Sequence, residues 1–330
     1  MRLDYKKIAL KASFLLIFTG CSSTLPLAKN ENSHQLPNWY INAPANNPIH
    51  LYGIGESNSL ESAKNMALNN MAARLSVTVG SKLEQKTTSS SNGTYKKDVS
   101  QNLNIEVQNI KFNNAKVEKN HVAGNNFFVL MRVSRTELFN DKKKDFDLSE
   151  SKINNALKIS KNQSILEKVY TLENTKPILN KARSQAILLN AIDNDFDDLK
   201  YLKKYDNISN DITSLKDSLK IKITSNTSSK LFSDELIDEL NKNSYKVVNY
   251  NDNVKISLNN KINYSTARGW KIAKVNTTIS VISNGRTISN NIINSVGRSS
   301  SSNENALASA ASYFKDEVTQ LGLNTILFNK

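Results

Sequence analysis

The sequence has few of the residues that crosslink a fold or hold a metal ion. Cysteine occurs once, at Cys21, so no internal disulfide can form. The three histidines, His34, His50 and His121, are far apart and have no partner at metal-ligand spacing, so no metal site is predicted. After the N-terminal residues, no apolar run approaches the roughly 18 residues that suggest a membrane-spanning helix. The sequence therefore predicts no membrane-spanning helix beyond its N-terminus.

The net charge is +14, which raises the question of an anionic partner. The basic residues are dispersed, and Lys142–Lys144 is the only dense run. Such a run is more often a solvated face than a binding site. We therefore predict no nucleic-acid partner, and an anionic envelope surface, such as lipid headgroups or peptidoglycan, suits diffuse positive charge better.

The N-terminal residues have the pattern of a secretory signal peptide. A basic stretch precedes the apolar run Ala12–Thr19, which is too short to span a bilayer. The run leads into Phe18-Thr19-Gly20-Cys21, which resembles a bacterial lipobox, in which the thiol of Cys21 would receive the lipid. We expect residues 1–20 to be a cleaved signal peptide and residues 21–36 to be a lipidated tether. The alternative is an ordinary signal peptide followed by an unmodified cysteine.

The residue after the cysteine bears on which membrane holds the protein. It is Ser22, whereas aspartate at that place is the usual signal for retention in the inner membrane of enteric bacteria. Two or three acyl chains on Cys21 would make a stable anchor. We therefore predict a lipid-anchored protein of the outer membrane, and we leave open whether it faces the periplasm or the cell surface.

Residues 37–135 have the pattern of an α+β domain with one helix on an antiparallel sheet. Apolar residues at helical spacing predict a helix over residues 59–75, opened by a capping box of Asn58 and Glu61. The other predicted elements are a strand at 50–57, a strand at 76–79, a hairpin at 91–93, alternation through Leu103, Ile105 and Val107, and a central strand at 127–133.

The spacing of apolar residues divides the rest of the chain into two parts. Residues 136–218 show helical spacing only, which predicts a connector of two or three helices broken near Asn174 and resembling a stalk. Residues 219–330 return to alternation and predict a second domain with helices on an antiparallel sheet. The expected fold class is thus α+β, with two such domains joined by a helical connector.

Residues 37–133 resemble the LPP20 family of bacterial lipoproteins. The resemblance is carried by Pro37-Asn38-Trp39-Tyr40, by Tyr52-Gly53-Ile54-Gly55-Glu56-Ser57, and by a helix that begins at Leu60 and ends in Ala72-Ala73-Arg74-Leu75. It implies an outer-membrane, often surface-antigenic lipoprotein without catalytic residues. It also implies kinship with proteins built into structures around the flagellar motor.

Two motifs that suggest ligand binding have simpler explanations. Gly53-Ile54-Gly55 lacks the third glycine of a dinucleotide-binding loop, and a turn that needs positive φ explains the pair. Asp193, Asp195 and Asp197 have the spacing of a calcium loop, but glycine and glutamate are missing from the places where that loop needs them. We interpret the three aspartates as a solvated helix end and predict no cofactor.

Aromatic residues offer a further candidate for a recognition surface. Trp39, Tyr40, Tyr52 and Trp270 could line one, although core or edge packing is the favoured interpretation. No Gly-x-Ser-x-Gly elbow and no identifiable set of catalytic residues is present. The sequence therefore does not predict an enzyme.

Three functions remain in view. The first is a non-catalytic structural or interaction component of the cell envelope that binds other envelope proteins, with a link to the flagellum left open. The second is an adaptor or activator that reaches from the outer membrane to peptidoglycan-synthesis or export machinery. The third, a secretion or pore subunit, is disfavoured because the long strands between Val254 and Val296 carry Asn, Lys and Arg.

Overall fold

The computed structural model describes residues 35–87 and 94–328, which form helices and strands in two sheets. The helices are α1 (Asn38–Ile41), α2 (Leu60–Thr87), α3 (Thr94–Gln108), α4 (Arg135–Ser160), α5 (Ile165–Glu173), α6 (Lys176–Ile192), α7 (Asp198–Asp217), α8 (Lys230–Lys242), α9 (Asn303–Leu321) and α10 (Leu323–Phe328). The strands are β1 (His50–Ser57), β2 (Lys116–Ala123), β3 (Asn126–Ser134), β4 (Ile221–Ser225), β5 (Val254–Ala267), β6 (Trp270–Ser283) and β7 (Arg286–Ser299).

The first sheet is antiparallel, with strand order β1-β3-β2, and α2 packs across it. Helix α2 runs through residues 76–79, so the strand predicted there is wrong. Every fourth residue of α2 is buried, which gives a continuous helical stripe. The stripe consists of Ala63, Ala67, Met71, Leu75, Val79 and Leu83.

Helix α3 replaces the strands that were predicted beside the hairpin at 91–93. That hairpin lies outside the described residues. The alternation prediction counted Ile105 as an inward residue, yet Ile105 is exposed, whereas Val99, Leu103 and Val107 are buried. Buried residues spaced by four fit a helix, and packing of this stripe decided the conformation over the β-propensity of valine and isoleucine.

The start of α2 also differs from the predicted capping box. The hydroxyl of Ser59 accepts a hydrogen bond from the backbone N–H of Ser62 at 3.2 Å. Ser59 is therefore the N-cap, one residue later than the predicted Asn58. A serine hydroxyl satisfies an N–H of the first turn as well as an asparagine does.

Helices α4 to α7 pack side by side and do not form an extended stalk. Helix α6 contacts α4 on one side and α7 on another. The predicted break near Asn174 is confirmed, because α5 ends at Glu173 and α6 begins at Lys176. These helices share a buried core that consists of Phe146, Ile153, Leu172, Leu179, Ala182, Ala186, Leu189, Tyr205, Ile208 and Ile212.

The second sheet has strand order β4-β5-β6-β7 and is mixed, not purely antiparallel. Strands β4 and β5 are parallel, and the other neighbours are antiparallel. Helices α8 and α9 cover one face. Between α8 and β5, an isolated bridge joins Val247 to Ile221 of β4.

The central helices also complete the cores of both sheets. Ile187, Leu188 and Ile192 of α6 join the core beneath the first sheet. Leu166 and Val169 of α5 join the core beneath the second sheet. The predicted fold class, two helix-on-sheet units joined by helices, is confirmed, and the predicted boundaries at 37–135, 136–218 and 219–330 stay predictions.

The presence of glycine at positions 53 and 55 is explained by close packing of a helix and not by a turn. Gly53 and Gly55 lie inside β1, and neither has a positive φ. A Cβ on Gly53 would overlap the backbone carbonyl of Ala67, and one on Gly55 would overlap that of Ala63. Helix α2 therefore approaches β1 so closely that only glycine fits, and the turn interpretation is wrong.

Candidate functional site

The residue predicted to carry lipid, Cys21, lies outside the described residues, as does His34. Across residues 35–87 and 94–328, no helix is both long enough and apolar enough to cross a membrane. The sites that the structure does describe lie around the first sheet and its junction with the helices.

A groove lies at the C-terminal end of β1. It encloses about 450 Å³ and opens to solvent. Strand β1, helix α1, helix α2 and the first residue of β3 all contribute to it. The lining residues are Tyr40, Ile54, Gly55, Glu56, Ser57, Met66, Asn70 and Asn126.

Glu56 is the charged residue of the groove, and two neutral groups hold its carboxylate. The hydroxyl of Tyr40 donates to Oε2 at 2.8 Å, and the side-chain amide of Asn126 donates to Oε1 at 2.8 Å. No described cation forms an ion pair with Glu56. The groove therefore holds a negative charge that is oriented but not neutralised.

Tyr40 links the groove to the sheet. Its ring packs edge-on against Phe128 of β3, with centroids 4.8 Å apart. Burial raises the pKa of the Tyr40 hydroxyl, and its hydrogen bond to Glu56 raises that pKa further. The phenol therefore stays protonated and acts as a hydrogen-bond donor to the carboxylate.

The free edge of β1 beside the groove is only partly covered. Asn46 accepts from the N–H of Tyr52 at 2.9 Å, and Arg74 donates to the carbonyl of Tyr52 at 3.0 Å. The amide oxygen of Asn70 accepts from the N–H of Ile54 at 3.3 Å. The backbone N–H and C=O groups of every second residue of β1 point to this edge. After Tyr52 and Ile54, the next residue whose backbone faces the edge is therefore Glu56. Among the described residues, none forms a hydrogen bond with the backbone of Glu56 along this edge.

A second pocket, of about 420 Å³, surrounds Arg135 where the first sheet meets α6. The guanidinium donates to the carbonyl of Asn47 at 2.7 Å and to the carbonyls of Ala191 and Ile192 at 3.2 and 2.6 Å. Burial lowers the pKa of Arg135, and the nearby Asp193 partly opposes that shift. Arg135 therefore satisfies the C-terminal carbonyls of α6 and joins them to the first domain.

The aspartates with calcium-loop spacing act at helix ends. Asp193 follows the last residue of α6 and accepts from the N–H of Asp195 at 3.0 Å. Asp197 caps α7 by accepting from the N–H of Lys200 at 3.2 Å. Within the part of the chain that the structure describes, no group of three or more His, Cys, Asp or Glu residues is placed to hold a metal ion.

The structure brings some predicted aromatics and histidines together and separates others. Trp39 contacts Tyr40 edge-on, with ring centroids 6.2 Å apart. Trp270 is half-exposed and lies on β6, in the other sheet. His50 is on β1, whereas His121 is on β2, at the opposite edge of the first sheet.

Sequence reasoning missed the polar residues that shape both pockets. Asn70, Asn126 and Arg135 belong to no motif, Glu56 lies in a segment that indicated only the family resemblance, and each of the four comes from a different element. Only the three-dimensional packing of α2 and α6 against the sheet brings them to their positions. Tyr40 is the one groove residue that the aromatic pattern had singled out.

Comparison with known proteins finds one family model that matches part of the chain. Residues 37–134 match the model of the LPP20 lipoprotein family. None of the curated proteins matches the chain significantly.

Several solved structures resemble the chain at low identity. A secreted protein of Helicobacter pylori is 14% identical, with a TM-score of 0.43, over 82% of this chain and 96% of that one. A minor lipoprotein of Acinetobacter baumannii is 12% identical, with a TM-score of 0.27, over 31% of this chain and 88% of that one. A lipoprotein of Neisseria meningitidis is 10% identical, with a TM-score of 0.24, over 31% and 99% of the two chains.

The family match agrees with the resemblance carried by the Pro37–Tyr40 segment, β1 and the first half of α2. It ends at the last residue of β3. Residues 37–134 of the protein are therefore similar to the LPP20 lipoprotein family.

Proposed function

We propose that the protein is a non-catalytic interaction component of the cell envelope, anchored in the outer membrane by lipid on Cys21. Its role is to hold another envelope protein at the groove beside Glu56. The observation that supports this proposal most strongly is the free edge of β1 at Glu56, next to an open groove of about 450 Å³.

The chemistry of the groove indicates what it would bind. An extended peptide segment can add to a free strand edge through backbone hydrogen bonds, while nearby pockets select its side chains. Met66 is half-exposed in the groove and offers an adaptable apolar contact. Glu56 offers a carboxylate to a lysine or arginine of the incoming segment. The proposed ligand is therefore an extended, basic segment of a partner protein.

The polar residues around the groove have positions that suit binding better than catalysis. Both carboxylate oxygens of Glu56 accept hydrogen bonds from neutral donors, and Asn70 is engaged with the backbone of β1. These side chains hold the edge of the sheet in shape. A preorganised edge reduces the entropic cost of ordering a bound peptide.

The adaptor role remains a second candidate, but it loses one of its arguments. A stalk of helices over residues 136–218, as the sequence predicts, would give an adaptor its reach. Helices α4 to α7 instead pack into a compact bundle against both sheets. The identity of the captured protein, whether part of the flagellar motor or of peptidoglycan synthesis, distinguishes the two candidates.

Site-specific photocrosslinking in living bacteria tests the proposal. A photoreactive amino acid would replace Met66 in the groove, and the matched control would replace Leu148, which is similarly exposed on α4. We expect the Met66 position to give crosslinked envelope proteins that mass spectrometry can identify. Glu56→Gln in the same background should reduce those adducts. Equal adducts from both positions, or none above the Leu148 background, would contradict the proposal.

A further inference from the structure

The second sheet has one face that no helix covers. Helices α8 and α9 pack against the other face, where the alternate residues Ile256, Val275 and Ile293 are buried. The uncovered face carries the intervening residues of β4 to β7. We call it the open face.

Five cations share the open face: Lys222, Lys255, Lys261, Lys274 and Arg298. Strand register places them together, because Lys222 pairs with Lys255, Lys261 pairs with Asn276, and Lys274 pairs with Val296. Paired residues in neighbouring strands point to the same side of a sheet. Among the described residues, none forms an ion pair with any of these five cations.

The charge of the open face is of one sign. Residues 253–303, which include all of β5, β6 and β7, contain seven Lys or Arg residues and no Asp or Glu. Surface charge of both signs is the usual arrangement, and a face of one sign focuses a field on its surroundings. An anionic partner would supply the missing charge.

The cations form a diagonal stripe and not a uniform layer. Lys255 lies at one end of β5, Lys261 lies further along it, Lys274 lies on β6, and Arg298 lies on β7 one row beyond. At about 3.3 Å per residue and about 4.8 Å per strand, the part of the stripe from Lys255 to Arg298 extends roughly 33 Å along the sheet and roughly 10 Å across it.

Most groups between the cations are neutral hydrogen-bonding side chains, and Ile292 and Val296 are exposed apolar residues on the same face. The neutral groups are amides and hydroxyls that suit the hydroxyl and amide groups of a sugar polymer. The set consists of Ser257, Asn259, Asn276, Thr278, Ser280, Asn290 and Asn294. Trp270 is half-exposed at the end of the stripe near Arg298 and offers an aromatic ring for a sugar face to pack against.

We propose that the open face binds a linear anionic polysaccharide along this stripe. Sheet twist favours a polymer over a lipid bilayer as the partner. Neighbouring strands rotate by about 20° relative to each other, so a planar membrane surface would meet the five cations at different heights. A flexible chain can follow the twisted stripe from Lys255 to Arg298.

Binding of polygalacturonate, a linear carboxylated glycan, tests the inference with the full chain carrying Cys21→Ser. We expect wild-type binding that weakens with salt, because screening acts on exposed charges, and no binding to neutral dextran. Replacing Lys255, Lys261 and Lys274 with glutamine should weaken binding about tenfold, since three exposed charge contacts are lost together.

The matched control replaces three exposed lysines with glutamine. Lys158 lies on α4, Lys161 follows the last residue of α4, and Lys203 lies on α7. The control removes the same charge away from the open face and should leave affinity within about twofold. Equal weakening in the two variants, or no wild-type binding, would overturn the proposal. Binding to phosphatidylglycerol vesicles without binding to the glycan would also overturn it, in favour of a membrane contact.

Discussion

Gly297 of β7 lies directly against Ala310 of α9, and a Cβ at position 297 would overlap the backbone nitrogen of Ala310. The same Cβ would overlap the backbone carbonyl of Ala306. The first sheet repeats this arrangement, since Gly55 of β1 meets Ala63 and Ala67 of α2. In both units, glycine in a strand and alanines four residues apart in a helix let the two backbones approach.

Gly297→Ala should therefore destabilise the protein by about 3 kcal/mol, because a backbone atom cannot rotate away from the added methyl group. Gly55→Ala should cost a similar amount. The measurement is the free energy of unfolding from urea denaturation.

Gly80→Ala is the matched control for both glycine variants. Gly80 lies within α2, and an added Cβ would meet nothing within 4 Å. Alanine favours the helix interior over glycine by about 1 kcal/mol, so this variant should be more stable than the wild type. Equal destabilisation by all three changes would show that close packing is not the cause.

Arg135→Gln tests the junction between the first sheet and α6. The change removes charged hydrogen bonds to the carbonyls of Asn47, Ala191 and Ile192, and we expect a loss of about 2 kcal/mol in unfolding free energy. The matched change is Arg132→Gln, because Arg132 forms a partly exposed ion pair with Glu118. That pair should contribute less than about 1 kcal/mol. Comparable losses in both variants would contradict the junction role.

Tyr205 should give the protein a pH dependence at alkaline pH. Its side chain is fully buried, and its hydroxyl donates to Glu150 at 2.6 Å. Burial, followed by this hydrogen bond, raises the pKa of Tyr205 well above its usual value of 10.0. Since the folded pKa exceeds the unfolded pKa, the contribution to stability is complete below about pH 10 and is lost as the pH rises further.

Tyr205→Phe checks this dependence. The variant should be about 1–2 kcal/mol less stable at pH 8, because the hydrogen bond is missing. Between pH 10 and pH 11 the wild type should lose up to about 1.4 kcal/mol more than the variant. Parallel stability curves for the two proteins over that interval would rule out the proposed ionisation effect.

The helices and strands that could be predicted from the sequence are those whose apolar residues follow either the helical period or the strand period, but not both. Strands β5, β6 and β7 alternate over 14 residues each, and α9 repeats apolar residues at helical spacing. Helix α3 and the second half of α2 were missed because Val and Ile there satisfy both periods locally. Only burial of Val79 and Val99, and exposure of Ile105, distinguishes the two.

Neither the groove nor the open face could be predicted from the sequence, and the reasons differ. Tyr40, Glu56, Asn70 and Asn126 come together only through tertiary packing, and the family segments that contain Tyr40 and Glu56 do not indicate that contact. For the open face, the absence of acidic residues from 253 to 303 is visible in the sequence. Which cations share one side depends on strand register, which the sequence alone did not define.

The central claim is that lipid on Cys21 anchors the protein, and fatty-acid labelling of living bacteria with membrane fractionation tests it most directly. We predict that the wild type and the control Ser22→Ala incorporate labelled acyl chains and sediment with outer membranes. Cys21→Ala, which removes the single thiol of the chain, should lose both the label and the membrane association. Unchanged sedimentation of Cys21→Ala with outer membranes would contradict the lipid anchor.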